Sequence, residues 1–386
     1  MRRTVYDADH EAFRGVIRDF LQAEVVPHHP DWERAGQVPR RLYRRLGELG
    51  VFGIRAPVEY GGAGERSYKY NAILIEETTR AGVGLGAAPV HFNLVLPYLM
   101  TFADDEQKER WLPPFISGEM MTAIAMTEPG AGSDLAGITT TATLSEDGRH
   151  YVLRGSKTFI SGGAQADLVL VVARIPGDER RGLSILCVDA HSPGFAVGRR
   201  LEKIGLHAQD TVELFFDDVR VPANNLLGEA GQGFKYLVHN LAEERMTIAL
   251  GATAQAAAAV RFTVAYVKER KAFGRAISTF QNTKFVLADC TARVRAMQAM
   301  TDQALDLFDA GELTAVDAAA CKLFAAETAG QVIDQCLQLH GGYGFVTEFP
   351  IARLYTDTRV TRLYGGTSEI MRGIVADDLL HRPDSV

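Results

Sequence analysis

The chain predicts an α+β protein in three parts: an N-terminal helical domain, a middle β-barrel or sandwich, and a C-terminal four-helix bundle. Two observations predict this. The spacing of apolar residues changes from helical to strand-like near residue 121 and back again near 229. Strands and helices nowhere alternate, as a doubly wound sheet requires. The 386 residues suit two or three domains, with boundaries expected at 1–120, 121–228 and 229–386.

Within the first part, Phe13, Val16, Ile17, Phe20 and Leu21 recur at helix spacing, and comparable patterns cover 40–50, 69–81, 88–101 and 105–117. The EYGGAG stretch at 59–64 separates two helices. In the second part, ADLVLVVARI at 166–175, GLSILCVDA at 182–190 and TVELFFDDVRV at 211–221 read as strands, and Asp147-Gly148 marks a hairpin. In the third, Ala-, Leu- and Glu-rich segments predict helices over 232–270, 281–310 and 313–340, with a last helix near 367–381.

A net charge of −7 from 41 basic and 48 acidic residues leaves no nucleic-acid footprint. Cys187, Cys290, Cys321 and Cys336 form no close pair with metal or redox spacing, and reduced thiols in a cytoplasmic protein are expected. No run approaches the roughly 18 uninterrupted apolar residues of a membrane span. The N-terminus lacks the apolar core of a signal peptide. The histidines, among them His91, His207, His239 and His340, have no metal-ligand spacing.

Five segments could carry chemistry. The turn in MTEPGAGSDL at 126–135 combines Pro129 with glycines that let backbone approach a ligand. HGGYGF at 340–345 follows a long helix, and Gly341 suits a left-handed helix end. GGTSEIMR at 365–372 opens the last helix, with Thr367 or Ser368 as cap and Glu369 in the first turn; such an end also suits an anion. The fourth is Glu244-Arg245. The apolar stripe of its helix is Phe234, Leu237, Val238, Leu241, Ile248 and Ala252, and the pair falls between Leu241 and Ile248. A carboxylate there needs a partner or titrates high, as a general base does. Glu243 lies off the stripe and is read as solvated. Arg270, in RKAFGRAISTFQ, could hold a phosphate or stand exposed at a helix end.

MTEPGAGSDL, the GSKTFIS segment, RKAFG…FQ, QLHGGYGF and YGGTSEIM stand in the order and approximate spacing of the acyl-CoA dehydrogenase family, which the whole chain resembles. The resemblance implies FAD, an acyl-CoA substrate, electron transfer to an electron-transferring flavoprotein, and a homotetramer built from dimers. It implies that Ile124, Met126, Thr127 and Ser133 touch the flavin, that Ser133 also meets substrate, and that Ser161 donates to the flavin. Phe159 stands where an indole usually packs on the ring. Arg270, Phe273 and Gln281 match residues that reach the FAD of a neighbouring subunit, Gln338, Gly341 and Gly342 match its adenine-ribose and pyrophosphate stretch, and Thr367 and Glu369 match contacts on the flavin side. Many members carry a catalytic Glu where this chain has Gly365. In the long-chain and isovaleryl branches the Glu lies on the bundle helix before an Arg, so Glu244 is the expected base. Arg245, Gly365 and Gly366 are expected at the substrate, with the Gly365 N–H on the thioester oxygen. The expected reaction is α,β-dehydrogenation of a medium-to-long or branched acyl-CoA. The alternatives are a carrier-protein-bound acyl substrate, an oxidase that returns electrons to oxygen, and a non-catalytic flavoprotein on the same fold.

Overall fold

The computed structural model describes residues 3–176 and 182–382. The first region holds α1 (Ala8–Phe20), α2 (His29–Ala35), α3 (Arg40–Glu48), α4 (Lys69–Ala81), α5 (Leu96–Phe102) and α6 (Asp105–Ile116). Two π-helical turns, Leu21–Val25 and Val90–Val95, extend α1 and lead into α5. Asp7 and Asp104 start α1 and α6 with capping boxes, each carboxylate accepting from the backbone N–H three residues on.

The middle region is an eight-stranded sheet of β1 (Thr122–Ala125), β2 (Thr141–Leu144), β3 (His150–Ser161), β4 (Leu168–Arg174), β5 (Leu183–Asp189), β6 (Phe195–Arg200), β7 (Thr211–Pro222) and β8 (Leu226–Leu227). The main path runs β6-β7-β3-β2-β4-β5-β8, and β1 lies parallel to β4. The hairpin at Asp147-Gly148 joins β2 to β3 with Leu144 opposite Tyr151, and Gly148 supplies a φ of 67°. Side-chain alternation assigns the two faces of β4 and β5. Leu168, Leu170, Val172, Leu183, Ile185 and Cys187 join the core of the N-terminal helices. Val169, Val171, Ala173, Leu186 and Val188 point into a core shared with β3 and β7. Burial on both faces explains why these strands read as continuous apolar runs.

The last region holds α7 (Gly233–Glu269), a short ribbon of β9 (Lys271–Ala272) and β10 (Arg275–Ala276), α8 (Gln281–Asp309), α9 (Ala315–His340), α10 (Pro350–Thr358) and α11 (Ser368–His381). By length and apolarity α7 could cross a membrane, but half of its most apolar window is buried in the protein. It packs on α4, α8 and α9 and shares their core through Met246, Leu250, Ala256, Val332 and Cys336. The helix α10 went unread in the sequence because Pro350 opens it; proline at a first helical position is easily taken for a loop.

Candidate active site

The site begins on α7, where two adjacent carboxylates meet different fates. Glu243 is buried, against the expectation that it is solvated, because Arg55 reaches it from the loop between α3 and α4. The Arg55 guanidinium grips both carboxylate oxygens and lies 5.1 Å from the centre of the Tyr68 ring. Burial pushes the Glu243 carboxyl up and the Arg55 charge pulls it back. The expected stripe also errs at Val238, which is 48% exposed.

Glu244 points the other way. Its Oε1 lies 3.5 Å from where a Cβ on Gly365 would stand. The residue is partly buried. Burial raises its pKa, and the charges of Arg245 and Lys322 oppose that rise. Gly365 and Gly366 both hold positive φ, 62° and 89°, a conformation that costs side-chain-bearing residues about 1–2 kcal/mol. A Cβ at Gly365 would also approach Ile248 Cδ1 to 2.4 Å. A side chain at Gly365 would therefore be strained and would have to displace the end of Ile248, and the carboxylate at this point comes from α7. Arg245 Nε donates to the Gly365 carbonyl at 3.4 Å, and Lys322 Nζ donates to the Gly366 carbonyl at 2.6 Å. Behind Glu244, Tyr98 from α5 is 2% exposed and lies beside Asn240, one turn earlier on α7.

A second cluster forms where β1 leads into the 126–137 loop. Ile124 is buried in β1, Met126 and Thr127 are partly buried, and Ser133 is exposed on the loop. Glu128 accepts from Thr139 N and Oγ1, both at 2.7 Å, and from Thr140 N and Lys157 Nζ, both at 2.9 Å. Burial disfavours the carboxylate, but these donors outweigh it and hold the pKa near 2. Lys157 also donates to the Met126 carbonyl, and Thr158 N donates to the Thr127 carbonyl, both at 2.9 Å. The loop is thus pinned to β3 just before a bulge, where Phe159 holds φ at 59°. Phe159 is 66% exposed and Ser161 follows on the same strand. A large apolar ring presented from a pinned, strained bulge fits a planar isoalloxazine.

The third cluster is on the bundle. Arg270, Gln338, Gly341 and Gly342 line an open cleft of about 530 Å³. No atom comes within 4 Å of a Cβ built on Gly341 or Gly342, so bare backbone faces the cleft. Gly341 closes α9 with φ 58° and ψ −137°, outside the left-handed helical basin expected of it. Arg270 is exposed, with its guanidinium 5.5 Å from the Tyr343 ring centre. Phe273, 96% exposed, tips the β9–β10 ribbon, and Gln281 is the exposed first residue of α8. These residues form a group apart from Glu244. Thr367 caps α11 by accepting from Ile370 N at 3.3 Å, Ser368 is buried, and Glu369 is exposed and accepts from Arg372.

Three sequence families match in order: residues 7–119 the N-terminal domain, 123–219 the middle domain and 231–380 the C-terminal domain of acyl-CoA dehydrogenase. The chain belongs to the acyl-CoA dehydrogenase family. It is 41% identical over 382 residues to the long-chain specific acyl-CoA dehydrogenase of Sus scrofa mitochondria, covering 98% of this chain and 88% of that one. It superposes with TM-score 0.92 on the acyl-CoA dehydrogenase of Geobacillus kaustophilus, at 41% identity over 97% of this chain and 98% of that one. A Bacillus anthracis acyl-CoA dehydrogenase solved with FAD matches at 30% identity and TM-score 0.91, over 100% of this chain and 71% of that one. The protein is an FAD-dependent oxidoreductase of the acyl-CoA dehydrogenase type.

Sequence reading missed Lys322, Arg55, Tyr98 and the Glu128–Lys157 pair. A signal for Lys322 existed: it interrupts a buried stripe of Ala318, Ala325 and Ala329 on α9, as Glu244 interrupts that of α7.

Proposed function

We propose that this dehydrogenase oxidises a medium-to-long or branched acyl-CoA to its trans-2-enoyl-CoA, with Glu244 as the base. The observation that carries the reading is the Glu244 carboxylate over the Gly365 turn, at 3.5 Å from a notional Cβ there. Gly365 cannot take a proton with a side chain, and the neighbouring Glu243 is locked by Arg55. Glu244 is left as the carboxylate free to accept one.

In this reading the Gly365 N–H donates to the thioester oxygen, where negative charge grows as the α-proton leaves. One such donor is worth about 3–4 kcal/mol in comparable sites. Glu244 takes the α-proton, and its raised pKa suits the task at neutral pH. Arg245 holds the turn from behind. Met126, Thr127, Phe159, Ser161 and Thr367 form the flavin side, and Ser133 lies at the substrate margin. Bound FAD supplies the acceptor for the β-hydride. Arg270, Phe273 and Gln281 reach the cofactor of a second subunit, with Gln338, Gly341 and Gly342 along its other half, in a homotetramer. The family likeness supports that assembly and an electron-transferring flavoprotein as acceptor. Four buried free thiols support a cytoplasmic setting.

Anaerobic mixing with octanoyl-, dodecanoyl-, palmitoyl- and isovaleryl-CoA tests the reading. At least one should bleach the flavin. Glu244→Gln should keep FAD and slow bleaching about 10²–10⁴-fold. Native-rate bleaching by that variant would remove Glu244 from the reaction.

A further inference from the structure

Lys322 is fully buried, yet its ammonium is bonded to a carbonyl rather than a carboxylate. Burying an ammonium is expensive, and a neutral donor could serve a carbonyl at lower cost. Burial and the Arg245 charge lower its pKa to about 8, and the carboxylates around it oppose that fall. The charged groups that face it are Arg245, Glu244, Glu327 and Glu369. Glu327 already bridges Arg362 and Arg372, and Glu369 bridges Arg372. Among the described residues Glu244 forms no ion pair, so it is the carboxylate still open to the Lys322 field.

The turn itself needs restraint. Two consecutive glycines have more backbone freedom than any other pair. Both of their carbonyls accept from buried cations, Gly365 from Arg245 and Gly366 from Lys322. Because each peptide unit is planar, holding these two carbonyls also holds the N–H groups of Gly366 and Thr367. The two cations therefore set the attitude of the turn beneath Glu244.

We propose that Lys322 is a positioning residue for the dehydrogenation: its ammonium pins the Gly365–Gly366 turn beneath Glu244 and, with Arg245, places positive charge beside the carboxylate that receives the α-proton. The inference rests on the reading of Glu244 as base. Glu244 faces Arg245 on its own helix, Lys322 from α9, Tyr98 from α5 and Tyr364 from the turn. The first two are the cations of that set, and each lowers the pKa that burial raises. Lys322 acts across helices, and no local sequence relation could replace it.

The test is the pH profile of anaerobic flavin bleaching by saturating dodecanoyl-CoA. Lys322→Met should keep FAD and substrate affinity. Its acidic limb should move up by about one pH unit, which is about tenfold less ionised Glu244 on that limb. Lys322→Arg, which keeps the charge, should restore most of the parent profile. A Lys322→Met profile that overlays the parent would overturn the inference. Should the Met variant fail to hold FAD, Lys322→Gln keeps a donor without the charge and is judged by the same limb. Glu244→Gln run alongside separates the two claims. If it is slow while Lys322→Met is native, the Lys322 role alone fails; if it bleaches at the parent rate, the base assignment fails and this role with it.

Discussion

The β domain and the bundle each bury a lysine near a carboxylate, and they use it oppositely. At the 126–158 junction, Lys157 and Glu128 bond directly at 2.9 Å, and three more donors complete the carboxylate. At the 365–366 turn, Lys322 bonds a carbonyl and leaves Glu244 unpaired. The first arrangement drives the carboxyl pKa far down, and in the second burial wins and the pKa rises. A closed set of donors makes a fixed strut. An open one leaves a carboxylate free, as the proposed base requires.

Breaking the strut should show mainly in stability. Glu128→Gln leaves the Lys157 ammonium buried without its counter-charge, and the loss should be about 3–5 kcal/mol. Thermal melting and FAD content report it, since the 126–128 segment would come loose from β3. A native melting temperature would show that the pair is not closed. Acid should act in the same place. The Glu128 pKa falls from 4.5 to about 2 on folding, so its contribution is complete above about pH 4.5 and disappears as pH falls toward 2. Acid titration of melting temperature should lose part of its slope in that window in Glu128→Gln.

Smaller effects sharpen the other side. Gly365→Glu places a side chain at φ 62° and drives its Cβ toward Ile248. It should cost at least about 1–2 kcal/mol of backbone strain. It should also slow bleaching, because the turn must move from beneath Glu244. Fast bleaching by this variant would mean that the turn tolerates a second carboxylate. Thr367→Ala removes the α11 cap and should cost about 1 kcal/mol by melting, with little change in the pH profile. A displaced profile would mean that the turn depends on its helix as well as on its two cations.

The regular elements were legible because periodicity is local. The helix over 69–81, the hairpin at Asp147-Gly148 and the long α7, α8 and α9 follow from spacing that any stretch of chain displays for itself. Glu244 was legible for the same reason, as a charge interrupting an apolar stripe. Glu243 was not, since the residue that buries it, Arg55, lies 188 positions away. The stripe also misjudged Val238, because helix spacing alone cannot say which flank of α7 its neighbours cover.

By itself the sequence determined three regions, their secondary structure, the family motifs and a short list of candidate acids and bases. Only the tertiary structure decided which of two adjacent glutamates is tied and which is open, and that Lys322 shares a turn with Arg245. The reason is physical. Periodicity needs only neighbours along the chain, whereas the charge state of a buried carboxylate depends on whatever folding brings within a few ångströms of it.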